Sequence, residues 1–142
     1  MRFWDSSAVV ALLASETARD RVIELLESDP ALLVWWSTPV ECASAIARRE
    51  RDGSLSASEA SAANEQLAVL AAAWSEVIPS NQVRAMAQRL LRLHTLRAAD
   101  AMQLAAAVIA AEHEPRSLEY VCLDDRLGAA AAREGFKVLP SA

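Results

Sequence analysis

Glycine is almost absent from this chain. With three in 142 residues there is no linker-like stretch, and no internal repeat divides the sequence, so a single domain over 1–142 is expected. That length buries about two thirds of the unfolded surface. Cysteine is scarcer still. Cys42 and Cys122 stand alone, with no CxxC pair and no histidine at metal-ligand spacing. This excludes a thiolate zinc centre and fits two reduced, buried thiols in a cytoplasmic protein. Long apolar runs are missing as well: "AMQLAAAVIAA" stops short of a membrane span and contains Gln103. The start is too acidic, and its apolar stretch too short, for a signal peptide. Positive charge is not in excess. The net charge is −5 and the pI about 5.0, which excludes binding nucleic acid through bulk charge while allowing a local basic strip.

What is present is a globular composition, 54% hydrophobic and 23% charged, arranged as alternating strand-like and helix-like blocks. "RFWD" reads as a short strand, and "SSAVVALLA" and "ETARDRVIELLES" as helices. "LLVWW" is a continuous apolar run of the kind a strand covered on both faces requires. "TPVECASAIARRERDG" is a helix with Thr38 as N-cap, Pro39 at its first position and Gly53 near its end. "SASEASAANEQLAVLAAAW" is a longer helix capped by Ser56 or Ser58, and "EVIP" is a short strand or a connector. In "SNQVRAMAQRLLRLH", Val83, Met86, Ala87, Leu90 and His94 share one helical face. "RAADAMQLAAAVIAAEH" is apolar nearly all round and predicts a buried helix. "LEYVCLDD", "RLGAAAAREG" and "FKVLP" close the chain as strand, helix and strand. Such alternation predicts an α/β fold with a parallel sheet flanked by helices.

Four acids fall at comparable places in this pattern. Asp5 and Asp124 end strand candidates, and Glu41 and Asp100 lie in the first turns of helices. In an open parallel sheet, ligand sites form outside the carboxyl ends of strands, which brings Asp5, Asp124 and Glu41 to one edge. Asp100 has no clear strand before it. Each acid also has a purely structural explanation. Asp5 would cap the helix beginning at Ser6 or Ser7. Thr38-x-x-Glu41 matches a capping box, and the helix dipole favours Asp100 and Asp124 near helix starts. Yet all four border core-forming segments. Carboxylates drawn together there repel unless a cation neutralises them, and a hard divalent ion, Mg²⁺ or Mn²⁺, with oxygen ligands suits that task and phosphodiester hydrolysis.

"DSSAVVALL", "PVECASAIAR", "LRAADAMQLAAAV" and "YVCLDDRLGAAAAREGFKVLP" resemble, in order and over essentially the whole chain, the motifs of PIN-domain ribonucleases. The likeness is nearest to the VapC-type toxins of bacterial toxin–antitoxin pairs. The resemblance implies a three-layer α/β/α sandwich with a central parallel sheet, and Mg²⁺- or Mn²⁺-dependent endoribonuclease activity. It also implies a VapB-type antitoxin whose tail covers the active site. Its acidic residues fall on Asp5, Glu41, Asp100 and Asp124, with Asp5, Asp100 and Asp124 as the metal ligands, and Ser7 matches a hydroxyl residue that holds the site's geometry. One position departs: where the family often has serine or threonine, two residues before the last aspartate, this chain has Cys122, a poor hydrogen-bond donor.

No acid lies between Glu76 and Asp100, whereas Arg84, Arg89, Arg92 and Arg97 do. Such a strip would lead an RNA backbone toward the acids. Arg97, just before Asp100, is the strongest candidate, and a solvated helix face serves equally for the others. Arg48, Arg49 and Arg51 suit a helix C-terminus. His94 reads as a packed histidine, and Trp4, Trp35, Trp36 and Trp74 as core. The excess of alanine and leucine points to a homodimer. The rival to a nuclease is a non-catalytic PIN-like binding module whose acids only cap helices. A phosphatase or phospho-receiver using Asp5 fits poorly. The only lysine is Lys137, near the C-terminus, and Ser7 stands where a phosphatase would want a second acid.

Overall fold

A computed structural model describes residues 1–14 and 17–141. In chain order the elements are β1 (Arg2–Trp4), α1 (Ser6–Ala14), α2 (Arg19–Ser28), β2 (Leu32–Trp35), α3 (Thr38–Arg51), α4 (Ala57–Ala73) and β3 (Ser75–Val77). There follow α5 (Asn81–Leu93), α6 (Ala98–Ala110), a 3-10 turn (Pro115–Ser117), β4 (Tyr120–Val121), α7 (Asp125–Arg133) and β5 (Val138–Leu139). The blocks read from the sequence are therefore all found, "EVIP" contributing to a strand. Glu16, with which the second helix was expected to begin, lies outside the described residues.

The strands form one parallel sheet in the order β3-β2-β1-β4-β5. Because side chains alternate across a strand, the strands β1, β2 and β4 each feed two cores. Phe3, Trp35 and Tyr120 enter the core shared with α5, α6 and α7, where Leu90, Leu104 and Leu127 are fully buried. Trp4, Val34 and Val121 enter the other, filled by Val9, Val22, Ile46 and Leu67 from α1 to α4. The result is a three-layer α/β/α sandwich. Helix α6 buries Ala101, Gln103, Leu104, Ala105, Ala106, Ala107 and Val108; its small side chains let it lie close against both the sheet and α5. Among the described residues no helix is long and apolar enough to cross a membrane.

Three local expectations change. Ser37, not Thr38, is the cap residue of α3, and no side-chain cap forms there. Thr38 is fully buried, and its hydroxyl accepts from the Gln103 amide at 3.1 Å. The reciprocal capping box stands instead at α4, between Ser56 and Glu59. Trp4, Trp35 and Trp74 are core, as expected, but Trp36 is 54% exposed. The run "LLVWW" outlasts its strand by one residue, which leaves the sheet at its carboxyl edge. His94 is packed, and its Nε2 lies 2.7 Å from Glu134 Oε2, joining the ends of α5 and α7. Gly53 adopts φ +84° just beyond α3, a left-handed backbone conformation that glycine reaches without a Cβ clash. Both cysteines are free and buried.

Candidate active site

The strand order places the topological switch point between β1 and β4. The chain steps outward from β1 through β2 to β3, then crosses back to β4 and on to β5. The crevice outside the carboxyl ends of these two central strands is where an open α/β sheet accommodates a ligand. A cleft of about 1020 Å³ opens there, lined by Asp5, Glu41, Asp100 and Asp124. All four sequence-selected acids thus reach it, Asp100 included: α6 begins at the same edge although no strand directly precedes it.

Asp5 is the deepest of them, 2% exposed at the end of β1. Its amide donates to Val121 O at 2.9 Å, and its carbonyl accepts from the amides of Ala8 and Val9. Its Oδ2 accepts from the Ser7 amide at 3.0 Å and the Ser7 hydroxyl at 2.5 Å, so Asp5 does cap the start of α1. Among the described residues no hydrogen-bond donor reaches its other oxygen. Burial raises the Asp5 carboxyl from 3.8 to about 6; the two Ser7 hydrogen bonds oppose that rise, and the charges of Glu41 and Asp100 add to it.

Ser7 ties the two central strands together at the site. Besides donating to Asp5, its Oγ accepts from the Leu123 amide at 3.0 Å. Cys122 lies beneath, with Sγ 3.4 Å from Asp124 O and 3.7 Å from Asp5 Oδ2. Burial pushes its thiol up, so it stays protonated and acts as a weak donor within the network. Asp124 caps α7, its Oδ1 accepting from the Leu127 amide at 2.8 Å.

Glu41 has partners from two helices, α1 and α6, and from the β2–α3 junction. Its Oε1 accepts from the Ser6 hydroxyl at 3.3 Å, and its Oε2 from the Ser37 hydroxyl at 3.0 Å and the Gln103 amide at 2.8 Å. Burial nevertheless raises its pKa, and Asp100 adds to the rise. Ser6 thus serves Glu41 rather than capping α1. Half-buried Asp100 is raised in turn by burial and by Asp124, against the lowering pull of Arg97 and Arg126.

Two kinds of residue at the site went unrecognised in the sequence. Gln103 is fully buried, donates to both Thr38 and Glu41, and leaves its own Oε1 without a partner. A lone amide on an otherwise apolar helix, one turn beyond Asp100, was the available signal, because a buried polar group needs a reason to be there. Arg48, Arg49 and Arg126 line the cleft with Arg97, although Arg48 and Arg49 also occupy the last turn of α3 as read. Arg89 and Arg92 are exposed on α5 and do not line the cleft.

The donor set is all oxygen and acidic, as a hard divalent cation requires. Asp5, Glu41 and Asp100 carry raised pKa values, which a bound cation would reverse. Among the described residues, however, no group of three or more acids, histidines or cysteines stands close enough together to hold an ion. The residues fit a cation in the chemistry of their donor atoms.

Fold and cleft together define a parallel α/β/α sandwich with an acidic, oxygen-lined crevice at its switch point. The chain belongs to the PIN domain family: the model of the PIN domain matches residues 2–114. Asp5, Glu41 and Asp100 lie inside the matched span; Asp124 lies beyond it and joins the cleft through the fold. No curated protein matches the chain. Among solved structures it is similar to a chain of a toxin–antitoxin complex from Klebsiella pneumoniae, with a TM-score of 0.64, 15% identity and 91% of each chain covered. At that identity the likeness speaks for the fold.

Proposed function

We propose that this chain is a single-domain, divalent-cation-dependent endoribonuclease that acts as the toxin of a toxin–antitoxin pair. The observation that carries the reading is the convergence of four acids on one cleft, with Asp5 buried and its carboxyl raised to about 6. Membership of the PIN family and the likeness to a chain from a toxin–antitoxin complex support it.

In this reading Asp5, Asp100 and Asp124 hold Mg²⁺ or Mn²⁺. When bound, the ion supplies an activated water and offsets charge on a phosphoryl oxygen. The chain's residues do the remaining work. Ser7 keeps the Asp5 carboxylate turned toward the cleft through a bond made at 2.5 Å. Gln103, Ser37 and Ser6 hold Glu41 as the group that accepts and returns a proton, burial raising its pKa above the ordinary carboxylate value. Arg97 and Arg126 at the rim receive the phosphates of the strand. A VapB-type antitoxin would silence the enzyme by covering this cleft, and a basic side chain from it would replace the cation's charge. Exposed Leu91 and Leu93 on α5 and Val69 on α4 offer apolar surface for a homodimer, which sedimentation would register.

The test is cleavage of RNA by purified protein with Mg²⁺ or Mn²⁺, set against Asp5→Asn and Asp100→Asn. Loss of cleavage in both is expected; equal cleavage by both would remove the assigned site. The non-catalytic reading draws on the caps that Asp5 and Asp124 do form, but capping leaves Glu41 unexplained. Titration calorimetry separates the two: the nuclease binds the divalent ion and the capping module does not.

A further inference from the structure

A second pocket, of about 520 Å³, opens beside the acidic cleft, and Ala99 lines both. Its walls include Trp36, Pro79, Met102 and Arg84, and among the described residues no acid lines it. Trp36 is the one exposed tryptophan; Trp4, Trp35 and Trp74 are at most 9% exposed. Its amide donates to Val77 O at 3.0 Å, which fixes it where β2 leaves the sheet. The next residue, Ser37, lines the pocket and holds Glu41 through its hydroxyl. Arg84 is steadied at the mouth by a 2.8 Å bond from its Nη2 to Asn81 Oδ1.

Each part has a consequence for what fits. An indole platform with apolar walls takes a flat aromatic group, because stacking needs only a π face. A guanidinium held by Asn81, with no acid lining the pocket among the described residues, takes a negative charge attached to that group. A flat ring beside a phosphate is a nucleotide, and the shared wall at Ala99 puts the pocket next to the place where the acids gather. We propose that the Trp36 pocket is a base-stacking subsite. It receives one unstacked nucleobase of single-stranded RNA, flanking the phosphate held in the acidic cleft, while Arg84 holds the adjoining phosphate. This rests on the nuclease reading and deepens it by restricting the substrate to strands whose bases can be splayed out.

The probe is the fluorescence of the Asp100→Asn protein, which binds without cutting, titrated with a short oligoadenylate and with an abasic ribose–phosphate oligomer of equal length. Trp35 also lines the pocket, so a change that reports Trp36 must vanish in the Trp36→Leu and Trp36→Phe proteins, whose binding is read by titration calorimetry. The subsite requires that oligoadenylate quench emission and the abasic oligomer not do so. It requires that Trp36→Leu weaken oligoadenylate binding about tenfold, the contribution of one stacked base, and that Trp36→Phe largely restore it. Oligoadenylate that binds without quenching, or a Trp36→Leu protein that binds as tightly as the parent, overturns the subsite and leaves the nuclease reading standing. A Trp36→Leu protein whose only change is a shift from dimer to monomer in sedimentation overturns it too, by giving the pocket to a second copy of the chain. If the parent with Mg²⁺ or Mn²⁺ neither binds nor cuts any RNA, it is the nuclease reading that fails.

Discussion

Replacing Asp5 by asparagine should stabilise the protein, and by an amount that depends on pH. The Asp5 carboxyl is raised from 3.8 to about 6, chiefly by burial. Between those values the folded state binds a proton that the unfolded chain has released, so stability falls as pH rises through the window. At about 1.4 kcal/mol for each pH unit, the fold has lost about 3 kcal/mol at neutral pH relative to about pH 4. Asparagine keeps the acceptor oxygen for Ser7 and has no charge to bury. Its amide hydrogens need partners of their own, which adds a cost that does not vary with pH. The slope is therefore the quantity to measure. Urea unfolding in chelator should give parent and variant curves whose separation grows by about 3 kcal/mol from about pH 4 to about pH 7.5, or roughly 1–2 M in midpoint at ordinary m-values. Added Mg²⁺ should then raise the parent's stability and not the variant's, because only the parent offers the full carboxylate set. A separation that stays constant with pH would refute the claim that Asp5 is held as a desolvated acid.

Gln103→Leu should leave stability within about 1 kcal/mol of the parent, because the lost bond to Glu41 is offset by removing a buried carbonyl that has no partner. The same change should move the acid limb of the pH–rate profile upward, since Glu41 loses a donor that lowers its pKa; an unmoved profile would count against a positioning role. Arg97→Ala should raise the KM for RNA about tenfold, whereas Arg89→Ala and Arg92→Ala, which lie off the cleft, should change it less than twofold. Ser56→Ala should cost about 1 kcal/mol by thermal unfolding, through loss of the capping box on α4, with cleavage unchanged.

How much of this was legible in the sequence depended on whether the cause was local. Alternating apolar blocks set the order of strands and helices, and the rule for parallel sheets brought Asp5, Glu41 and Asp124 to one edge before any coordinates. The placement of Asp100 came from resemblance, because α6 crosses back to the sheet edge without a strand to announce it. The misses came from contacts distant in the chain. Thr38-x-x-Glu41 has the spacing of a capping box, but Gln103 and Ser6, 62 and 35 residues from Glu41 in sequence, take the carboxylate that the motif assigned to the local backbone. Trp36 was read as core because an apolar run does not say where its strand ends; one residue past β2, the same side chain faces outward. Arg48 was read as a helix-end cation and is also a cleft residue, since the last turn of α3 reaches the cleft wall.

The choice between capping and chemistry for these acids proves to be a false one. Helices α1, α3, α6 and α7 all begin at the carboxyl edge of the sheet, so residues that suit a helix start collect at the same edge as residues that suit a ligand. Asp124 bonds the Leu127 amide and Asp5 bonds the Ser7 amide, yet each also lines the cleft. The helix starts help make a concentration of negative charge tolerable. Burial and mutual repulsion then keep it from being comfortable, as the raised carboxyls of Asp5, Glu41 and Asp100 record. An edge that holds acids by their backbone partners, while burial keeps the carboxyls of Asp5, Glu41 and Asp100 raised, suits the cation binding proposed above. The capping bonds hold Asp5 and Asp124 in place at the cleft.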